Sequence, residues 1–127
     1  MSEVPDGLIY TKDHEWIRVI DDEIIIGITD YAQHALTDVV WVELPEIGVD
    51  VEMMESFASV ESVKSVSEIY APVSGQVITA NEGLEDAPET INTDPYGDGW
   101  ICRMSITNVE ELSTHLDAAG YTALIGE

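Results

Sequence analysis

Hydrophobic and polar positions alternate along most of the first 80 residues, which is the period of a half-buried β-strand. Val, Ile and Thr are frequent within these stretches, and Gly, Pro and Asp occupy the gaps between them. Many short strands at close spacing are typical of a small sandwich or barrel. Strands are predicted at 15–20, 23–29, 39–44, 56–63, 65–70 and 76–80, with 47–52 either a strand or a turn.

One helix interrupts this β pattern. Apolar residues recur at helical spacing within 30–36, directly after Thr29, which together with Asp30 is a candidate N-cap. A short internal helix is therefore predicted between two strands.

Beyond Asn81 the pattern changes. A single helical turn is predicted at 89–92, and a further strand at 100–106. Asn108 and Glu111 have the spacing of a capping box, which predicts a helix reaching residue 116. A last helix is predicted over 117–125, so the chain is mainly β with a helical flank at about 107–126.

Length and composition are those of one globular domain. The 127 residues contain no internal repeat, 45% are hydrophobic and 24% are charged. The longest apolar run, at 24–28, is far shorter than the roughly 20 residues of a membrane helix. The acidic start resembles neither a secretory signal nor a transit peptide. We therefore expect a monomer in a bacterial cytoplasm, or in the mitochondrial matrix if this is a mature eukaryotic form.

The charge balance narrows the choice of partners. Asp and Glu outnumber Lys and Arg by 26 to 4, which gives a formal charge of −22. Such acidity argues against nucleic acid, whose phosphates are bound by Lys and Arg, and against anionic membranes. Steering toward partners with basic faces, simple solubility and adaptation to a salty cytoplasm all remain open.

The sequence offers little for an enzyme. Cys102 is the only cysteine, so no internal disulfide can form, and we expect it to be a buried small hydrophobe. The loop at 94–99 begins like a calcium loop, but Tyr96 and Ser105 occupy positions that need oxygen-rich ligands, the latter glutamate. Zincin, nucleophile-elbow and phosphate-loop motifs are absent from the sequence. A non-catalytic protein is therefore predicted.

Lys64 is the residue that stands out. Lys12 is the only other lysine, and Lys64 lies between two strand-like arms that together with the next strand form a core hairpin at about 56–80. We expect Val63 and Val66 to hold the turn rigid. A hairpin tip projects a side chain away from the fold, where its primary amine can be acylated. A solvated lysine is the ordinary alternative.

The residues around Lys64 resemble a known family. Glu-Ser-Val-Lys-Ser-Val-Ser-Glu at 61–68, followed by Ala-Pro-Val-Ser-Gly at 71–75, is similar to the lipoylation site of the glycine cleavage H-protein family. Further matching segments follow the family's order and cover nearly the whole chain. They are His-Glu-Trp at 14–16, Ile-Gly-Ile-Thr-Asp-Tyr-Ala-Gln at 26–33, Val-Glu-Leu-Pro at 42–45, Asn-Thr-Asp-Pro-Tyr-Gly at 92–97 with Gly-Trp at 99–100, and Tyr-Thr-Ala-Leu-Ile at 121–125.

The resemblance implies a lipoyl/biotinyl-type flattened barrel-sandwich of two small antiparallel sheets. It also implies that (R)-lipoate is attached to Lys64 through an amide and shuttles an aminomethyl group. The implied partners are a pyridoxal-phosphate glycine decarboxylase (P-protein), a tetrahydrofolate-dependent aminomethyltransferase (T-protein) and dihydrolipoyl dehydrogenase (L-protein), besides the lipoate-attaching enzymes.

The family shelters the loaded arm in a cleft, where excluded water slows its hydrolysis. The matching positions are Glu15, Ile28 and Glu68, and Glu15 could pair with the cationic amine of the arm. A solvated acid is the alternative for Glu15 among so many acids.

Two other readings stay open. Biotinyl domains place methionines beside the lysine, and dehydrogenase-complex lipoyl domains place an acid directly before it, where this chain has Val63. An H-like protein that relays lipoyl or octanoyl groups, or that only docks without modification, is the alternative from another functional class.

Overall fold

The computed structural model describes residues 2–127, which form short strands, short helices and one 3-10 helix. No helix within this range is long and apolar enough to cross a membrane. The elements in chain order are β1 (Ile9–Tyr10), β2 (Glu15–Ile20), β3 (Glu23–Ile28), α1 (Asp30–Leu36), β4 (Val39–Glu43), β5 (Asp50–Val51), β6 (Ser56–Ser62), β7 (Val66–Tyr70), β8 (Gly75–Ala80), α2 (Gly83–Asp86), α3 (Thr90–Thr93), β9 (Cys102–Ser105), the 3-10 helix (Val109–Thr114) and α4 (Ala118–Ile125).

The strands form two antiparallel sheets. One has six strands in the order β1-β2-β3-β9-β8-β5, and the other has three in the order β4-β6-β7. Within the described residues the sheets do not close into a barrel. The predicted fold class, mainly β with two antiparallel sheets and short helices, is confirmed. β8 pairs with β5 and β9 in the larger sheet, so the hairpin ends at Tyr70 instead of near residue 80.

The main core lies between the two sheets, because alternate side chains of each strand point inward. Ile17, Ile24 and Ile26 of the larger sheet belong to one buried cluster with Val60 and Ile69 of the hairpin. Each such side chain contributes about 1.5–3 kcal/mol when removed from water. The core therefore fixes the hairpin against the larger sheet.

The opposite face of the six-stranded sheet carries a second core. Trp16 and Tyr10 are fully buried there, and Tyr121 of α4 stacks on Tyr10 with ring centroids 4.8 Å apart. The Trp16 indole lies over Gly27, where a Cβ atom would come within 2.6 Å of the ring. Trp16 also donates from Nε1 to the carbonyl of Pro95 at 2.9 Å. The C-terminal helix is thus docked on the strand that contains Trp16.

The helix predictions differ in accuracy. α1 is confirmed, with the Thr29 hydroxyl accepting from the amide of Ala32 at 3.2 Å. The segment after Asn108 forms a 3-10 helix, so the predicted α-helix is wrong in type. The reason is that the Glu111 carboxylate accepts from the amide and hydroxyl of Ser74 and so does not close a capping box.

Candidate functional site

Lys64 lies at the exposed tip between β6 and β7. Its turn is organised by the buried hydroxyl of Ser62, which accepts from the amides of Lys64 at 3.2 Å and Ser65 at 3.1 Å. The Ser62 amide donates to the Ser65 carbonyl at 2.8 Å, which closes the turn. The backbone beneath Lys64 is therefore fixed while its side chain extends into solvent.

The flanking valines do not hold this turn, contrary to expectation. Val63 is 67% exposed and Val66 is 59% exposed, so neither packs into the core. Val63 contributes through its backbone amide, which donates to the carbonyl of Asp38 at 3.1 Å. Polar contacts of the backbone and of Ser62, instead of apolar packing, make the tip rigid.

The solvent-facing side of the three-stranded sheet, here called the outer face, mixes apolar and acidic side chains next to Lys64. Trp41 on β4 is 53% exposed and lies in the same cross-strand row as Glu61 and Val66. In the next row, Glu68 lies beside Ser59, and its carboxylate accepts from the Ser56 hydroxyl at 3.1 Å. The lysine therefore stands at the end of a partly apolar, acidic surface.

Glu15 begins β2 and is buried, with 1% of its surface exposed. Its carboxylate accepts from the Thr11 hydroxyl at 2.5 Å and from the backbone amide of Tyr70 at 3.1 Å. Burial raises the pKa of Glu15 to about 7, although these two hydrogen bonds act in the opposite direction. A carboxylate of the larger sheet thus satisfies a backbone donor on β7, the edge strand of the smaller one.

The structure brings two of the three predicted cleft residues into direct register. Ile28 on β3 lies opposite Glu15 on β2, so their side chains share a face, and Ile28 is buried. Glu68 is not part of that pair, since it is exposed on β7, two residues before Tyr70. At about 3.3 Å per residue, Lys64 is about 13 Å from Glu68 along the strand and about 20 Å from Tyr70. β7 is therefore a track from the lysine toward Glu15.

A polar cluster behind Glu15 was not predicted from the sequence. The His14 ring is joined to the Tyr121 hydroxyl at 2.8 Å, and that hydroxyl is joined to the Thr29 hydroxyl at 2.7 Å. His14 has a left-handed backbone with φ of 71°, and burial lowers the pKa of its imidazole. α4 therefore fastens the segment that precedes Glu15. Thr11, Tyr70 and Tyr121 escaped sequence analysis because each acts through a contact distant in the chain.

The remaining candidate sites contain no chemistry of their own. Within residues 2–127 no group of three or more His, Cys, Asp or Glu side chains is arranged to hold a metal ion. The Asp94 carboxylate accepts from the amide of Asp98 at 2.9 Å, so that loop is closed on itself. Cys102 is buried as expected, and burial raises the pKa of its thiol to about 12.

The chain was compared with known proteins. The profile of the family described as Glycine cleavage H-protein matches residues 8–127. The Glycine cleavage system H protein of Halorhodospira halophila is 51% identical over 128 residues, which cover 100% of this chain and 98% of that protein. The protein of the same name from Symbiobacterium thermophilum is 52% identical over 127 residues, covering 100% and 99%. A crystal structure of a glycine cleavage system H protein from Mycobacterium marinum superposes with a TM-score of 0.90 at 42% identity, covering 98% of this chain and 100% of that chain.

Proposed function

We propose that Lys64 of this chain, which belongs to the glycine cleavage H-protein family, is the lipoyl attachment point of a non-catalytic carrier. Family membership supports the lipoyl carrier role in the glycine cleavage system and interaction with that system's other components. The observation that carries the residue assignment is the amine of Lys64 on a hairpin tip fixed by Ser62. In this proposal residues 1–127 act as one carrier domain, and the bacterial relatives favour a bacterial cytoplasm.

The surroundings of Lys64 fit an acylated lysine. The residue is exposed, and within residues 2–127 its ammonium forms no ion pair that acylation would break. When attached, the lipoyl group supplies a dithiolane that receives and hands on the one-carbon unit. The chain's own contribution is to fix the base of the arm. A rigid base with a flexible arm raises the effective concentration of the carried group at each docked active site.

Glu15, Ile28 and Glu68 form the proposed shelter for the end of the arm. Ile28 supplies an apolar wall beside the Glu15 carboxylate, and Glu68 lies between Lys64 and Tyr70 along β7. An ammonium at the shelter would favour the ionised form of Glu15, whose burial otherwise disfavours that charge. To receive it, the carboxylate must exchange its hydrogen bond with the Tyr70 amide or share it. The shelter is thus a site that opens at the end of β7.

The outer face is the proposed docking surface for the partner enzymes. Trp41 and Val66 supply exposed apolar contacts beside Lys64, and acids surround them. Aromatic centres with charged rims are typical of protein interfaces. The P-protein, T-protein, L-protein and lipoate-attaching enzymes would therefore share a basic rim around an apolar centre. Those steps follow the family's reaction cycle and are part of the proposal.

Reconstitution tests the residue assignment. Purified protein is lipoylated in vitro and added to the P-, T- and L-proteins of a bacterial relative, with glycine decarboxylation as readout. Wild type and Lys12→Ala are expected to support turnover equally, and Lys64→Ala to support none. Activity of Lys64→Ala would remove the assignment. A wild type that accepts lipoate and passes it to another protein, yet supports no decarboxylation, would select the relay alternative.

A second experiment tests the shelter. Glu15→Ala is expected to leave attachment at Lys64 intact while ammonia leaves the loaded protein faster, because water reaches the amine. Ile28 methyl resonances should also shift when the wild type is lipoylated and loaded. Unchanged ammonia release together with an unshifted Ile28 would place the shelter elsewhere. Glu68→Gln separates the path along β7 from the end of the cleft, since only Glu15 is buried.

A further inference from the structure

Both arginines of this acidic chain lie on one face of the six-stranded sheet. Arg18 on β2 and Arg103 on β9 are each the register partner of Ile25 on β3, and Arg103 is next to Thr79 on β8. Because neighbouring strands are about 4.8 Å apart, the two arginine backbones are about 10 Å apart across Ile25. A row of two cations with an apolar residue between them results.

This row borders a cavity of about 260 Å³. Its lining residues are Arg18, Ile25, Thr79, Gly97, Trp100 and Arg103. Ile25 and Trp100 are partly buried and pack against the second core, so they provide apolar walls. Gly97 has no side chain to fill the space. None of these residues belongs to the hairpin of Lys64 or to the proposed shelter.

The two guanidinium groups are held in place but not used up. Arg18 donates from one terminal nitrogen to the carbonyl of Tyr96 at 3.1 Å, and its guanidinium lies 4.9 Å from the centre of the Trp16 ring. Arg103 donates from Nε to the Glu23 carboxylate. In the described part of the chain no other hydrogen bond of either guanidinium is recorded. Each thus retains N–H donors, of which Arg presents five in a fixed fork.

The local charge is the opposite of the overall charge. The net charge of −22 repels anions from most of the surface. The other two bases, Lys12 and Lys64, lie outside this cavity. Only here do two cations meet apolar walls, and guanidinium forks match carboxylate oxygens in geometry.

We propose that this cavity binds a small organic carboxylate whose flat apolar part packs between Ile25 and Trp100. The carboxylate is held by the remaining N–H donors of Arg18 and Arg103, above Ile25. Glu23 orients Arg103 by accepting from its Nε and leaves the terminal nitrogens toward the ligand. The site is a function separate from the lipoyl carrier role and does not depend on it.

The experiment uses the full chain and benzoate as the probe, with benzamide as its neutral analogue and inorganic phosphate as an anion without an apolar part. The three tryptophan indole N–H resonances of ¹⁵N-labelled protein report binding. Benzoate is expected to shift the Trp100 resonance in a saturable way and to leave the distant Trp41 resonance unchanged. Benzamide and phosphate are expected to produce no saturable shift at the same concentration.

Matched variants test the residues. Arg18→Gln and Arg103→Gln are each expected to weaken benzoate binding about tenfold, since each removes a charge-assisted contact. Lys12→Gln makes the same change in net charge outside the cavity and should bind like wild type. Because Arg18 covers Trp16, thermal unfolding of each variant checks the fold, and the comparison of benzoate with benzamide needs no variant at all.

Three results would overturn the proposal. They are no saturable Trp100 shift with benzoate, equal binding of benzamide or phosphate, and an equal loss of binding in Lys12→Gln.

Discussion

Replacing Glu15 by glutamine removes a buried carboxyl group with little change in shape. The Glu15 side chain is 1% exposed and accepts from the Thr11 hydroxyl and the Tyr70 amide. Glutamine retains one oxygen acceptor for Tyr70 and offers an amide donor to Thr11. The substitution therefore eliminates the titration of this group and keeps most of the packing.

The magnitude follows from the raised pKa of Glu15. Its pKa is 4.5 in the unfolded chain and about 7 in the folded protein, because burial disfavours the charged form. Between these values the folded state holds a proton that the unfolded state has released, so stability decreases as pH rises. The contribution is complete below about pH 4.5 and lost above about pH 7. A shift of about 2.5 units corresponds to about 3 kcal/mol.

The assay is chemical denaturation at a series of pH values from about 4 to about 8. The free energy of unfolding of the wild type minus that of Glu15→Gln is expected to fall by about 3 kcal/mol across this window. The subtraction removes the repulsion among the other acids, which affects both proteins. Glu68→Gln makes the same change in net charge at an exposed site, and its difference from wild type should vary much less with pH. A flat difference for Glu15→Gln would refute the burial argument.

Three further predictions concern the hairpin, the second core and the charge. Ser62→Ala should cost about 1–3 kcal/mol and speed amide exchange at Lys64 and Ser65, whereas Ser65→Ala, at an exposed position, should do neither. Gly27→Ala should destabilise by about 1–3 kcal/mol in urea, because its Cβ would meet the Trp16 indole, while Gly83→Ala, with its nearest neighbour 3.4 Å away, should not. Association with the partner enzymes, followed by stopped-flow fluorescence, should slow with added salt, and an unchanged rate would exclude steering by the acidic surface.

The β-sheet architecture could be predicted because period-two alternation directly reports which face of a strand is buried. β2 begins and ends where the alternation does, and α1 starts at the Thr29 cap. β1, at only two residues, and α2, without a side-chain cap, were missed because so few residues contain no periodic signal. Local patterns also could not show that β8 leaves the hairpin for the other sheet.

The candidate site could be located from the sequence but not built from it. The motif around Lys64 identified the hairpin tip, yet the support came from the Ser62 hydroxyl and not from the valines. The burial of Glu15 was not foreseen, since its partner amide, that of Tyr70, is 55 residues away in the chain. Contacts of this range depend on the packing of the two sheets, to which a local motif is blind.

These contacts give the carrier a physical description. The hairpin holds the base of the arm rigidly, β7 leads from Lys64 to Tyr70, and Glu15 occupies the end of that track. α4 secures the far side through Tyr121 and His14. Rigidity is thus concentrated under the lysine, while motion is left to its side chain and whatever that side chain bears.

Intact-mass spectrometry tests the central claim most directly. The protein is purified from lipoate-replete cells of its native background, together with Lys64→Ala and the matched variant Lys12→Ala. We expect one lipoyl increment on wild type and on Lys12→Ala, and none on Lys64→Ala. An unmodified wild type, a biotin increment or a lipoyl increment that persists in Lys64→Ala would contradict the assignment of Lys64 as the lipoyl carrier residue.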